Sequence, residues 1–259
     1  MKALITGASS GIGRDIAKVL SSKGYDIIAV ARRRERLEEL KKELKTEVEI
    51  ITADVTDEEE CYRLAERAGE VDILVNNAGF GILGEFTNVD LDTEMKMIDT
   101  NIKAVHILTK LFLTVFKKRD SGYILNVGSI ASFFPGPLFA TYYATKSYVL
   151  RLTQSVAEEL RQEKSRVKIS VLCPGPVNTE FSDIAGMSFG VGKFKAAKLV
   201  VLDSPKVAKY AIDKMLSGKE VIVPSALMKA SAFCRRILPD KALAKIFYKI
   251  QNMKFVRNK

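Results

Sequence analysis

Histidine occurs once in these 259 residues and cysteine three times, and each scarcity removes a class of chemistry. A hydrolase built on a Ser-His-acid triad would have to use His106, which lies in the apolar helical stretch Val105–Leu108 with no nucleophile motif beside it. Metal-ligand spacing is missing too, so His106 reads as structural and no metal is expected. Cys61, Cys173 and Cys234 are odd in number and far apart, which leaves neither a disulfide framework nor a Cys-x-x-Cys pair and points to reduced thiols. No apolar run approaches the roughly 20 residues that span a bilayer. Only three apolar residues separate Lys2 from Thr6, nothing like a secretory core, so a cytoplasmic location is the expectation. Internal repeats and low-complexity stretches are also absent.

The charge is present but uneven. From Pro224 onward nine Lys and Arg face Asp240 alone, a net of +8 that leaves about +2 of the total +10 for everything before it. A near-neutral body at 1–223 followed by a basic helical extension at 224–259, packed on the same domain, is the expected organisation.

Within the body, short Val- and Ile-rich runs alternate with helical periods. Strands are expected at Lys2–Ile5, Asp26–Ala31, Val48–Ala53, Asp72–Val75, Tyr123–Val127, Val167–Cys173 and Glu220–Val223. Helices are expected at Ile12–Lys23, Arg34–Lys45, Asp57–Ala68, Leu91–Lys118, Tyr142–Lys164 and Pro205–Ser217. Such alternation demands right-handed crossovers and a parallel sheet covered on both faces, hence a doubly wound, Rossmann-like α/β fold in a single domain. Strands apolar along their whole length, like Ile27–Ala31, suit a sheet buried on both sides. The segment from Phe181 to Leu202 is irregular and stands apart.

The first strand runs into Thr6-Gly7-Ala8-Ser9-Ser10-Gly11-Ile12-Gly13. A chain that turns sharply, passes close to a pyrophosphate and packs its helix on the sheet favours residues without a Cβ at each step. The helix N-terminus then offers unpaired N–H groups to the anion. Arg14-Asp15 follow Gly13 where a P-loop has Lys and Ser or Thr, which disfavours an NTPase. The second strand ends Ala31-Arg32-Arg33-Arg34, with no acid to bond the ribose 2′-hydroxyl of NAD. Guanidinium groups there can grip a 2′-phosphate, so NADP(H) is favoured, with Arg32 foremost, Arg33 next and Arg14 as a helper. Arg34 and Arg36 read as the start of a solvated helix. Asp54, after the third strand, is placed to accept from the adenine amino group.

Tyr142 and Lys146 are four apart in a helical pattern and share a face. A free tyrosine has a pKa of ~10, and a nearby ammonium favours its phenolate. The pair is therefore suited to give a proton to a ketone and take one from an alcohol. Ser129, at the end of the fifth strand, can hold the substrate oxygen beside Tyr142. Tyr143 is three from Lys146 and is expected to point elsewhere, into packing.

Taken together, Thr6-Gly7-x-x-x-Gly11-x-Gly13, Asp54, Asn76-Asn77-Ala78-Gly79, Asn101, Ser129, Tyr142-x-x-x-Lys146 and Pro174–Thr179 resemble the short-chain dehydrogenase/reductase family from residue 2 to about 223. The resemblance implies that Asn101 holds a water linking Lys146 to solvent, that Lys146 bonds the nicotinamide ribose, and that Asn77 stabilises the sheet near the cofactor. It implies a nicotinamide cradle at Pro174–Thr179, with Val177 and Thr179 on the carboxamide. It extends the cofactor contacts to Thr6, Ser9, Ser10, Ile12, Val55, Ala78, Gly79, Pro174 and Gly175. Homodimers or homotetramers built through the fourth and fifth helices are common in the family. Ser132 and Phe133 stand where many members place a small glycine, which bears on pocket shape.

Three segments should rim the substrate pocket: Phe80-Gly81-Ile82-Leu83, Phe133-Phe134-Pro135, and the loop with Phe181, Ile184, Met187, Phe189 and Phe194. Their apolar character suggests an acyl chain, a steroid or another hydrophobic carbonyl compound; packing of the lid onto the core is the alternative reading. A non-catalytic dinucleotide-binding sensor is the rival function, but it has no use for Ser129, Tyr142, Lys146 and Asn101 together. Nucleic-acid binding through the basic tail lacks a reader motif, and none is expected. In Lys241–Phe255, Leu243, Ile246, Phe247 and Ile250 form an apolar stripe beside a row of Lys241, Lys245 and Lys249. That helix could pack on its own domain, cover the pocket, join a subunit interface, steer an anionic substrate or make peripheral contact with an anionic membrane.

Overall fold

The computed structural model describes residues 1–181, 185 and 201–255. Ile184, Met187, Phe189 and Phe194, expected on the pocket rim, lie outside the described residues. Seven strands form one parallel sheet: β1 (Lys2–Thr6), β2 (Asp26–Ala31), β3 (Val48–Thr52), β4 (Ile73–Asn76), β5 (Tyr123–Val127), β6 (Lys168–Leu172) and β7 (Val221–Ile222). Their order is β3-β2-β1-β4-β5-β6-β7, so the winding reverses between β1 and β4. At such a switch point the carboxyl ends of adjacent strands diverge and leave a crevice for a ligand.

The period of two along each strand sorts side chains between two helical layers. Ala3 and Ile5 of β1, with Ile27 and Ala29 of β2, pack under α1 (Gly11–Ser22), α2 (Arg34–Glu43) and α7 (Ser204–Leu216). Leu4, Ile28 and Val30 face the other way, onto α3 (Glu58–Glu66), α5 (Ala104–Arg119) and α6 (Ala140–Gln162). Phe112 and Phe116 of α5 are fully buried there, edge to face at 5.9 Å. Each such side chain contributes about 1.5–3 kcal/mol by leaving water.

The expected helix at Leu91–Lys118 is two helices joined by an irregular turn. α4 (Leu91–Ile98) begins at Asp90, whose carboxylate caps it by accepting from the Thr93 N–H. It gives way to a five-residue π-turn at Asp99–Lys103, closed by the Ala104 N–H on the Asp99 carbonyl, before α5 resumes. An apolar period does not reveal such a widened turn, because it changes the phase of the pattern without interrupting it. The basic extension holds α8 (Ala226–Cys234) and α9 (Asp240–Phe255). Inward from α9 come Leu243, Phe247 and Gln251, whereas Ile246 and Ile250 are exposed. The packed stripe is thus rotated from the expected Leu243, Ile246, Phe247 and Ile250, because a helix resting on a wall of rings presents a narrow i, i+4, i+8 edge. Among the described residues no helix is long and apolar enough to cross a membrane, and none of the three cysteines is paired.

Candidate active site

A cavity of about 750 Å³ runs along the carboxyl ends of the strands across the β1–β4 switch point. Its first wall is the loop after β1. Gly7 and Gly11 adopt left-handed φ values of +66° and +53°, open only to glycine without strain. A Cβ on Gly7 would sit 2.7 Å from Asn77 Nδ2, and one on Gly13 would sit 2.5 Å from the Gly7 carbonyl oxygen. Thr6 Oγ1 accepts from the N–H groups of Asn77 (3.0 Å) and Ala78 (3.1 Å). Asn77 Nδ2 donates to the carbonyls of Thr6 (3.0 Å) and Gly7 (3.1 Å). Thr6 and Gly13, expected as cofactor contacts, do not line the cavity; they hold the backbone that does. Asn77 steadies the glycine loop, whereas the sheet itself is tied by its neighbour: Asn76 Nδ2 donates to Thr109 Oγ1 and to Asn126 Oδ1.

The arginines after β2 divide their work. Arg33 Nη2 lies on the loop, donating to Ser9 Oγ (3.2 Å), Ser10 Oγ (3.1 Å) and the Glu180 carboxylate (2.9 Å). Arg32 reaches outward, 74% exposed, with Nη1 3.5 Å from Asp54. Both line the cavity, yet Arg33 and not Arg32 is the one seated against the loop. Arg14 is turned to α2, 2.7 Å from Glu43, and is not among the cavity walls. Burial pushes the Asp54 carboxyl up, but hydrogen bonds from Thr56 and the Arg32 charge outweigh it and hold the group below its usual range. Val55 lies beside it on the wall. Glu180, absent from the sequence reading, is kept ionised chiefly by the hydrogen bond from Arg33.

At the far end β5 stops at Val127 and a short turn carries Ser129, whose Oγ accepts from the Ala131 N–H at 3.1 Å and lies near enough to the Tyr142 phenol to oppose the rise in its pKa. Ser132 locks this turn to α6: its hydroxyl accepts from the Ser129 N–H (3.3 Å) and donates to the Lys146 carbonyl (2.7 Å). Ser132, expected to bear on pocket shape, is off the cavity wall and acts as a positioning residue. Tyr142 stacks on Phe139 at 4.5 Å and lies 5.5 Å from the Phe181 ring. Lys146 is 4% exposed and donates to the Val127 carbonyl at 2.9 Å. Gly79 lets it through, since a Cβ there would lie 3.2 Å from Lys146 Nζ.

The electrostatics of the pair differ from the expectation that Lys146 lowers the tyrosine. Burial pushes Tyr142 well above its ordinary value, with Ser129 opposing, and burial brings Lys146 down to about 8. The ammonium, 5.8 Å from the Tyr142 ring centroid, does not overcome that desolvation. Burial likewise raises the Cys173 thiol, behind Ser129, to about 12, so it is neutral. Asn101 sits in the π-turn, fully buried and off the cavity wall. Its Nδ2 donates to the Phe80 carbonyl (2.9 Å) and Thr145 Oγ1 (3.1 Å), and its Oδ1 accepts from the Phe80 N–H. Pro174, Gly175, Val177 and Thr179 complete the wall after β6, with the Thr179 methyl 3.1 Å from where a Cβ of Gly11 would be.

The substrate side is aromatic. Phe80, Ile82 and Phe181 line the cavity as expected of their segments. Phe133, Phe134 and Pro135 do not; Phe134 stacks instead on Phe247 at 4.6 Å, and packing wins there. Tyr143 packs at 6.1 Å from Phe247 and binds Gln251, while also reaching the wall. His106 is bonded through Nδ1 to the Tyr148 hydroxyl on the outside of the protein.

Comparison with known proteins agrees with this fold. The profile of the short chain dehydrogenase family matches residues 1–187. An uncharacterized oxidoreductase of Staphylococcus epidermidis is 36% identical over 195 residues, covering 74% of this chain and 83% of that one. Among solved structures, a short-chain dehydrogenase from Sphingobium yanoikuyae in complex with NADPH is similar with a TM-score of 0.79 and 28% identity over 91% of this chain and 93% of that one. The bulky-bulky ketone specific alcohol dehydrogenase from Comamonas testosteroni is similar with a TM-score of 0.75 and 26% identity over 91% of each chain.

Proposed function

The chain belongs to the short-chain dehydrogenase family, and from that premise we propose that it is an NADP(H)-dependent oxidoreductase interconverting a ketone and a secondary alcohol on a mainly apolar substrate. The observation that carries this reading is the meeting of Ser129, Tyr142 and the buried Lys146 on one cavity whose other end is the glycine loop. Ser129 holds the substrate oxygen. Tyr142, kept neutral by burial, is in the protonation state of a donor, and it gives its proton to that oxygen as the ketone is reduced. Lys146, mostly charged at neutral pH, favours the phenolate that remains and would bond the ribose. The side chain of Asn101 is engaged by Phe80 and Thr145, so a relay water beside Lys146 would fall to its backbone carbonyl. A bound nicotinamide supplies or accepts the hydride.

The residues present fit that group, because Gly7, Gly11 and Gly79 form cavity wall too closely packed to carry a Cβ, with Gly13 fitted tightly behind them. The pyrophosphate would rest on Gly7, Ser9, Ser10, Gly11 and Ile12, where the start of α1 has no side-chain cap of its own. Arg33 and Arg32 would hold a 2′-phosphate, Asp54 and Val55 the adenine, Ala78 and Gly79 the ribose region. Pro174, Gly175, Val177 and Thr179 would enclose the nicotinamide. The NADPH bound by the Sphingobium relative favours the same choice. A cytoplasmic homodimer or homotetramer without a nucleic-acid partner completes the reading.

Turnover of a panel of bulky ketones and alcohols with NADPH and NADH tests it. Reduction of at least one ketone, with NADPH preferred, is expected. Turnover of none, in either direction, would make the protein a dinucleotide-binding sensor, and equal affinity for both cofactors would remove the arginines' role.

The extension favours a second, additional reading. Phe233, Ile237, Leu238, Ile246, Tyr248 and Ile250 are exposed large apolar side chains, set among Arg235, Arg236, Lys241, Lys245 and Lys249. A second copy would bring like charges together, whereas an anionic membrane surface matches both the apolar and the cationic groups. Sedimentation with anionic vesicles at low salt, and its loss at high salt, is the expected result; protein left in the supernatant at low salt overturns it.

A further inference from the structure

The cavity contains a buried polar group that the reaction proposed above does not use. Gln251 comes from α9, is 3% exposed, and lines the same cavity as Tyr142 and Phe181. Its Nε2 donates to the Tyr143 hydroxyl at 2.9 Å. Its Oε1 is buried and has no hydrogen-bond partner among the described residues. The surroundings are apolar: Phe80, Ile82 and Phe139 share the wall, and Leu243 and Phe247 of the same helix pack beside Tyr143.

A buried acceptor left without a partner is unfavourable, and an apolar residue of the same length would fill this place without that cost. The Tyr143 hydroxyl accepts from Gln251 and still has its own proton to donate. Both residues line the cavity, and between them they hold one unpaired acceptor, covered in this rotamer, and one unused donor. A single hydroxyl complements both, donating to the amide oxygen and accepting from the phenol; with the amide turned over it would accept from Nε2 and donate to the phenol oxygen. The rings of Tyr142 and Tyr143 have centroids 6.3 Å apart and tilted by 74°, so this polar point is distinct from the one where Ser129 and Tyr142 meet.

Resting on the reading of Ser129 and Tyr142 as the reacting centre, we propose that Gln251 and Tyr143 form a second polar subsite that recognises a hydroxyl carried by an otherwise apolar ketone, away from its reacting carbonyl. The substrate class is thereby narrowed from a hydrophobic carbonyl compound to a bulky hydroxy-ketone. The C-terminal extension, through α9, becomes a specificity element.

Matched ligands test this: a bulky apolar ketone, and a series of analogues each carrying one hydroxyl at a different distance from the carbonyl. The ratio of kcat/KM for analogue over parent is measured with NADPH for the unmodified protein, Gln251→Met and Gln251→Leu. In parallel, the rise in Tm that each ligand gives the NADPH-loaded protein measures binding without turnover, and NADPH affinity reports that each variant is folded. The unmodified protein should favour at least one hydroxylated analogue by about tenfold, equivalent to about 1.4 kcal/mol, and both variants should bring that ratio near one. An equal ratio in all three proteins, or no preference for any analogue in either measurement, overturns the subsite. If no ketone turns over but the binding preference exists and Gln251→Met erases it, the subsite stands and the redox reading falls. If ketones react without preference, only the subsite falls.

Discussion

The two ends of the cavity are made of different material. At the glycine loop the wall is backbone: left-handed glycines, strand ends and the open start of α1, with Thr6 and Asn77 fastening them from behind. At the substrate end the wall is side chain, gathered from Phe80, Ile82, Phe139, Phe181 and Gln251 on four separate stretches of the chain. A backbone wall has a fixed shape, and it recognises the part of a ligand that never varies. A side-chain wall can be altered one residue at a time without disturbing the sheet. The same contrast separates Arg33, which touches the loop, from Arg32, which only overhangs it.

Substitutions on either side of that divide should behave differently, beginning with the largest effect. Tyr142→Phe removes the proton but not the cradle, so kcat should fall by about 10²–10⁴-fold while NADPH affinity, measured by fluorescence titration, stays near that of the unmodified protein. Tyr143→Phe should leave most turnover of a plain ketone; the reverse pattern would mean that the helix face has been misassigned. Gly13→Ala attacks the backbone wall, because its methyl would meet the Gly7 carbonyl oxygen at 2.5 Å. Overpacking of this kind costs about 1–3 kcal/mol, so NADPH and NADH should both bind about tenfold to a hundredfold more weakly. Equal loss for the two cofactors is the signature of the loop itself.

Arg33→Ala should weaken NADPH alone, by about tenfold or somewhat more, as expected for a charge-assisted bond of about 1.5–3 kcal/mol. Arg32→Ala, at an exposed position, should do less. A larger effect at Arg32 would return it to first place and show that Arg33 is held by Glu180 rather than available to a phosphate. The smallest effect concerns pH. Lys146 loses its proton as pH rises through about 8, so the favourable ammonium is present below that value and lost above it. The kcat/KM for ketone reduction should therefore be level below about 8 and decline above it, and a profile flat to pH 10 would detach Lys146 from the chemistry.

The backbone half of the site was legible in the sequence because its requirement is local. Gly7, Gly11 and Gly13 stand within seven residues, and what they share is a missing Cβ, which the letters state outright. The alternating apolar runs likewise led to all seven strands, within two residues at each end. Ser129, Tyr142 and Lys146 were legible through helix spacing and strand ends, and the structure brings the three together on one cavity wall with the ammonium buried. What the spacing did not carry was the balance of burial against charge at Tyr142, since desolvation depends on every neighbour at once. Gln251 had no signal at all: a polar residue on a charged helix looks solvated until the helix is laid against Tyr143. Glu180 escaped for the same reason, its partner Arg33 being 147 residues away. The rotation of the α9 stripe shows the limit most plainly, because Ile246 and Leu243 are equally apolar and only packing decides which turns inward.

The widened turn at Asp99–Lys103 sets a constraint on how this chain can change in length. Each residue of an α-helix advances the winding by about 100°, so one additional residue in a turn resets the angular phase of everything beyond it. Upstream, Glu94 and Met97 are aimed at α6 and the aromatic cluster; downstream, Leu108, Phe112 and Phe116 are aimed at the sheet. Deleting a single residue between Asp99 and Lys103 would let regular winding resume with both halves facing as they do now, whereas straightening the turn at full length would swing one half about 100° against the other. The loss of one residue there should therefore cost the contacts of Asn101 with Phe80 and Thr145 rather than the packing of Met97 or of the Phe112–Phe116 pair.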